Sequence, residues 1–189
     1  MLRAYLFFMI LCLCAASVSA QRIRPEYDFR DSSFSLTYRM DIPQGLSKAQ
    51  VLAILFNYDY VIQYSQKTNV SISLIEENES TNRILYEYEY NYLVVRARLG
   101  VEMLRQKFPE KGKVVFQMQN YNKTGRILPD VLYAGGTYEV IDNGRTLLYT
   151  QETIMDQRVS GIYQFFIKRD VQGYLREIMN FLQEYAKKQ

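Results

Sequence analysis

Histidine and tryptophan are absent from all 189 residues, and cysteine occurs only at Cys12 and Cys14. Without histidine the chain lacks the usual general base and the commonest metal ligand. A serine triad or a histidine-ligated metal centre is therefore excluded. Both cysteines fall inside an N-terminal apolar run, so the rest of the chain holds no thiol. That excludes disulfides, thiol catalysis and cysteine zinc sites beyond the run. A chain of this length buries enough core without disulfides. The excess of basic over acidic residues is only +3, too small to argue for nucleic acid as a partner. No second segment is apolar and long enough to span a bilayer, which takes roughly 20 residues.

The N-terminal run is the most specific feature of the sequence. Arg3 supplies a positive start, Leu6 to Ala16 carry no charge, and Val18-Ser19-Ala20 place small residues at a cleavage site. Residues 1–20 read as a secretory signal cut before Gln21, with 21–189 as the exported chain. The expected location is secreted or periplasmic. Three Asn-x-Ser/Thr triplets, at Asn69, Asn78 and Asn122, matter if export runs through a glycosylating compartment.

What is abundant is tyrosine, at 17 residues, with 10 phenylalanines. Most lie in alternating runs. Gln21 to Asp31 reads as a polar lead-in. Phe34, Leu36, Tyr38 and Met40 alternate with polar residues, the period of a half-buried strand. Ser47 and Gln50 form a capping-box pattern opening a helix to about Phe56. Tyr58 to Gln66 reads as a second short helix or a turn. Val70 to Leu74 is a strand. Tyr86, Tyr88, Tyr90 and Tyr92 then share a face opposite Glu87 and Glu89. In Leu93 to Arg105, Val95, Ala97, Leu99, Val101 and Met103 share a face. Val95, Leu99 and Met103 also satisfy a helical spacing, so both readings stand for this stretch. If it is a strand paired with the tyrosine run, Glu87 and Glu89 lie near Arg96 and Arg98. Val114, Phe116 and Met118 alternate next, and Asn122 to Pro129 reads as a polar loop.

Asn143-Gly144 is a two-residue hairpin signal of the primed type. Counting outward sets Asp142 opposite Arg145, Val140 opposite Leu147 and Tyr138 opposite Tyr149. From Ile162 the period changes to 3.6. Phe166, Val171, Tyr174, Leu175, Ile178, Met179, Leu182 and Tyr185 form one stripe of a long amphipathic helix. A helix of that kind after an antiparallel sheet is expected to lie across the sheet's concave face. The fold class is α+β.

Three segments, Leu46 to Tyr64, Gly136 to Tyr149 and the last helix, resemble the START-like helix-grip proteins (SRPBCC). That superfamily includes polyketide cyclase/dehydrase-like and coenzyme Q-binding-like members and plant pathogenesis-related allergens. Asp59-Tyr60 matches an aspartate-aromatic turn, and Gly136, Tyr138 and Val140 match a Gly-x-aromatic-x-aliphatic strand. The resemblance implies a curved antiparallel sheet wrapped around the C-terminal helix. It implies a hydrophobic small molecule or lipid held between them, and admits transient contact with membranes. The expected lining is Tyr86, Tyr88, Tyr90, Val95, Leu99, Phe116, Met118, Tyr138, Tyr149, Tyr174 and Ile178. No cofactor, metal site or catalytic residue is expected. A cyclase-like enzyme using tyrosines with Glu139, Glu152 or Asp156 is the competing class. An interaction module using the sheet edge is a third.

Overall fold

The computed structural model describes residues 24–66, 70–92, 95–125 and 129–188. The expected secretory signal at 1–20 lies outside the described residues. In chain order the elements are β1 (Glu26–Phe29), β2 (Ser33–Asp41), α1 (Lys48–Phe56), α2 (Tyr58–Gln66), β3 (Val70–Glu77), β4 (Thr81–Tyr92), β5 (Val95–Phe108), β6 (Lys113–Thr124), β7 (Val131–Ile141), a 3₁₀ turn (Asp142–Gly144), β8 (Thr146–Met155) and α3 (Gly161–Ala186). The strands form one antiparallel sheet in the order β1-β2-β8-β7-β6-β5-β4-β3. After β2 the chain crosses to the far edge through α1 and α2, then returns strand by strand.

Local chemistry explains the main elements. Gln50 N donates to Ser47 Oγ at 3.3 Å while Ser47 N donates to Gln50 Oε1 at 2.8 Å, a closed capping box that starts α1. Five of the nine residues of α1, Val51, Leu52, Ile54, Leu55 and Phe56, are buried, so packing rather than an amphipathic stripe holds it. Register shifts at Leu74/Glu76, Glu102/Met103 and Val131/Tyr133 are bulges that curl the sheet.

The hairpin between β7 and β8 follows from its turn residues. Asn143 sits at φ 56°, ψ 35° and Gly144 at φ 87°, with Arg145 N donating to the Asp142 carbonyl at 3.2 Å. That is the primed turn which matches strand twist. Asp142 is also left-handed, at φ 53°, so regular pairing starts one step further out, at Ile141 and Thr146. Val140 then faces Leu147 and Tyr138 faces Tyr149.

The core fills the concave face. Phe34, Leu36, Tyr38 and Met40 from β2 meet Val114 and Phe116 from β6, Tyr138 and Val140 from β7, and Leu147 and Tyr149 from β8. Leu175, Ile178, Met179 and Leu182 of α3 close it. Burying a side chain of this size contributes about 1.5–3 kcal/mol. Met179 Sδ accepts from the Tyr38 hydroxyl at 3.6 Å, and Lys168 Nζ lies 5.1 Å from the Phe29 ring centroid. Phe181 packs against Tyr60 of α2 with the rings tilted by 49° and their centroids 5.1 Å apart. These contacts lay α3 over the β1-β2-β8-β7 half of the sheet.

Five expectations need correction or resolution. Glu26–Phe29 is a short edge strand rather than lead-in, fixed by pairing with Phe34 to Thr37. Val95–Phe108 is a strand, because its backbone pairs on both sides, with β4 and β6. β6 runs on to Thr124, past the start of the expected loop, because a bulge lets Tyr121 to Thr124 stay paired with β5. Of the two readings for Tyr58 to Gln66 the helix holds, so Asp59 and Tyr60 lie in the first turn of α2 rather than in a separate aspartate-aromatic turn. Tyr185, at the end of the stripe, is 36% exposed because α3 outruns the core there.

Candidate ligand-binding site

Strand alternation lays an apolar strip on the core face of β4, β5 and β6. Tyr86 is paired with Val101, Tyr88 with Leu99, Ile84 with Met103, and Met103 with Met118. Ile84 is fully buried, and Tyr86 and Met103 pack against the core beside it. From Tyr86 outward the strip is only half buried: Tyr88, Leu99, Val101, Met103 and Met118 all keep some solvent contact. This half-buried strip of β4 to β6 is the trough, open in the sense that its side chains keep solvent contact. Across it the rings of Tyr86 and Tyr88 stack at 6.5 Å.

Toward β7 and β8 the same face is closed. Phe116, Tyr138 and Tyr149 form a ring cluster with centroids 5.1 to 5.8 Å apart. Gly136 makes room for it, since a Cβ there would meet the Thr150 carbonyl and lie 2.6 Å from the Phe116 ring. Tyr149 donates to Gln151 Oε1 at 2.7 Å. Tyr174 of α3 reaches the cluster edge-on, 6.3 Å from Tyr149, and its hydroxyl hydrogen-bonds that of Tyr138.

Polar groups converge where the trough meets this closed core. Burial, and then the neighbouring phenol of Tyr174, hold the Tyr60 and Tyr138 hydroxyls well above their ordinary pKa. Burial does the same to Tyr86, while Arg105 pulls it partly back. These phenols stay protonated at neutral pH and act as donors. Arg105 is 3% exposed and Asn82, its partner across β4 and β5, is 1% exposed. Arg105 Nη2 donates to the Leu55 carbonyl, and Asn82 Nδ2 donates to the Phe56 carbonyl at 2.9 Å. Arg105 Nη1, Asn82 Oδ1 and the Tyr60 hydroxyl are buried without a hydrogen-bond partner. Native interiors rarely leave such atoms unpaired.

The expected lining residues divide accordingly. Tyr86, Tyr88, Leu99 and Met118 belong to the open trough, while Tyr174 sits at the edge of the closed cluster. Phe116, Tyr138, Tyr149 and Ile178 are buried core, packed by other side chains. The side chains of Tyr90 and Val95 lie outside the described residues. Sequence reasoning missed Arg105, Asn82 and Tyr60. The carboxylates of the cyclase-like alternative do not reach the site. Glu139 alternates with core-facing Tyr138 and Val140 and pairs with Lys113 at 3.9 Å. Glu152 is exposed, and Asp156 accepts from Asp130 N at 2.7 Å at the strand ends. Two surface hollows of about 440 and 480 Å³ lie elsewhere, at the start of α3 and at the β7–β8 turn.

No family model and no curated protein sequence matches the chain. Solved structures do match its fold. The aromatase/cyclase Zhui from Streptomyces sp. R1128 aligns at 10% identity and TM-score 0.54, over 82% of this chain and 94% of that one. Ginseng major latex-like protein 151 from Panax ginseng aligns at 8% identity and TM-score 0.53, over 79% and 98%. Norcoclaurine synthase from Thalictrum flavum, in complex with dopamine and hydroxybenzaldehyde, aligns at 9% identity and TM-score 0.52, over 82% and 88%. With its curled eight-stranded antiparallel sheet and long C-terminal helix, the chain has the START-like helix-grip fold.

Proposed function

We propose that this chain is an exported carrier of an apolar small molecule or lipid, held in the trough between β4–β6 and α3. The observation that carries the reading is a strip of half-buried apolar side chains leading to buried polar atoms that no group among the described residues satisfies. Concave apolar sites with a few convergent polar groups are the usual form of small-molecule sites. Each ~100 Å² of apolar ligand surface buried contributes about 2.5 kcal/mol before association costs. The solved complex of norcoclaurine synthase with dopamine and hydroxybenzaldehyde supports small-molecule binding by this fold. Residues 1–20 supply the export signal. An apolar cargo dissolves in bilayers, so the carrier meets membranes transiently to load and unload.

A cyclase-like enzyme is the second reading, favoured by the phenols and Arg105 gathered at one place. Those groups are donors at neutral pH, and the site holds no base among the described residues. Electrophilic assistance is within its reach; proton abstraction is not.

The test is thermal stabilisation by a panel of fatty acids, quinones and phospholipids, compared with Met103→Trp. A ligand that binds only the folded state raises stability. The carrier reading predicts a rise in Tm with at least one ligand, lost when the tryptophan fills the trough of a folded protein. No stabilisation by any apolar ligand contradicts it.

A further inference from the structure

We infer that the ligand carries a carboxylate on its apolar body and that Arg105 receives it. This rests on the carrier reading and names the class of cargo. Arg105 and Asn82 together hold the last carbonyls of α1, a helix with no basic residue in its own last turn. Cations are favourable at helix C-termini, where the carbonyls sum to about half a negative charge. That structural duty occupies Nη2 and leaves Nη1 unpaired. Among the described residues no carboxylate lies within ion-pair distance of Arg105, whereas Arg30, Arg83, Arg98, Arg158 and Arg169 each have one. Those five are far more exposed than Arg105. Other arginines without a carboxylate partner, such as Arg39, Arg145 and Arg176, are exposed to water, whereas Arg105 is buried without a counter-ion, which is the costly arrangement.

Arg105 acts electrostatically on the phenols of Tyr60 and Tyr86, which places the three groups in one neighbourhood. The Tyr60 hydroxyl is itself buried beside the Tyr174 phenol, with no acceptor at hydrogen-bond distance. Two donors, Nη1 and that hydroxyl, match the two oxygens of a carboxylate. Charge-assisted bonds of this kind are the strong ones. Tyr86 and Met103, next along the strip, then flank the first part of the apolar body. All three atoms are buried away from water, so entry of the headgroup requires a local opening and association should be slow.

The experiment compares dodecanoic acid with dodecan-1-ol on wild-type chain, Arg105→Met and Arg105→Lys, by calorimetry. The expected result is acid binding at least about tenfold tighter than alcohol in the wild type. Arg105→Met should bring the ratio to about one, and Arg105→Lys should keep part of it. If Arg105→Met does not fold, the wild-type ratio and Arg105→Lys decide. Equal binding of acid and alcohol by the wild type overturns the inference and leaves the carrier reading standing. An acid preference that survives in folded Arg105→Met overturns it too, by placing the cation elsewhere. Binding of neither probe overturns the inference; only failure of the whole ligand panel above sinks the carrier reading.

Discussion

The hydroxyls of Tyr138 on β7 and Tyr174 on α3 hydrogen-bond each other across the interface between sheet and helix. Tyr138 is buried within the ring cluster, and its hydroxyl is kept protonated by that burial. The pair thus ties the middle of α3 to the strand that the Asn143-Gly144 turn places in register.

Breaking this pair on one side should cost more than removing it. Tyr174→Phe leaves the Tyr138 hydroxyl buried without this partner, at a cost of about 1–3 kcal/mol. The double variant Tyr138→Phe/Tyr174→Phe should recover part of that loss. Urea titration of the two single variants and the double variant measures the coupling. Strictly additive losses would show that the hydroxyls do not interact.

The grip of α3 should be visible in a paired comparison. Leu182 is 1% exposed, and its replacement by alanine should cost about 2–5 kcal/mol. Arg176, less than two turns away on the exposed face, should change stability by no more than about 0.5 kcal/mol on replacement by alanine. Denaturation midpoints of the two variants check this. Equal losses would mean that the apolar stripe does not face the sheet.

Alkaline pH should weaken the fold because the folded chain holds half-buried phenols protonated. Burial pushes Tyr27 to about 12, and burial followed by the charge of Asp130 pushes Tyr121 to about 12, against 10.0 for a free phenol. Below pH 10 these groups are protonated in both folded and unfolded chains, so their contribution is fully present. Between about pH 10 and 12 the unfolded chain releases protons that the folded chain keeps, and stability falls as pH rises. Urea midpoints should be flat from about pH 7 to 9 and drop steeply above about pH 10. A midpoint unchanged at about pH 11 would contradict the burial of these rings.

The fold was largely legible because its signals are local. Asn143-Gly144 sets the pairs Val140–Leu147 and Tyr138–Tyr149, and the Ser47–Gln50 box starts α1. β1 was hidden because its four residues, Glu26 to Phe29, are half polar and gain their pairing only from β2. The choice between strand and helix for Val95–Phe108 rested on partners far along the chain, which no window of sequence contains. The trough was half legible. Period two put Tyr86, Tyr88, Leu99 and Met118 on one face, but it could not say that Phe116, Tyr138 and Tyr149 would be closed off by Gly136 and α3. The polar end was missed because Tyr60, Asn82 and Arg105 come from three separate segments. One signal was available: extending the alternation of Leu99, Val101 and Met103 by one step puts Arg105 on the apolar face.

Native mass spectrometry of protein gently purified from a secreting host is the decisive experiment. The chain should begin at Gln21 and carry a non-covalent apolar small molecule with an acidic group, which solvent extraction releases and identifies. Met103→Trp should leave the same chain without it. A mature protein that carries no adduct, and that regains none after incubation with fatty acids, quinones or phospholipids, would contradict the carrier reading.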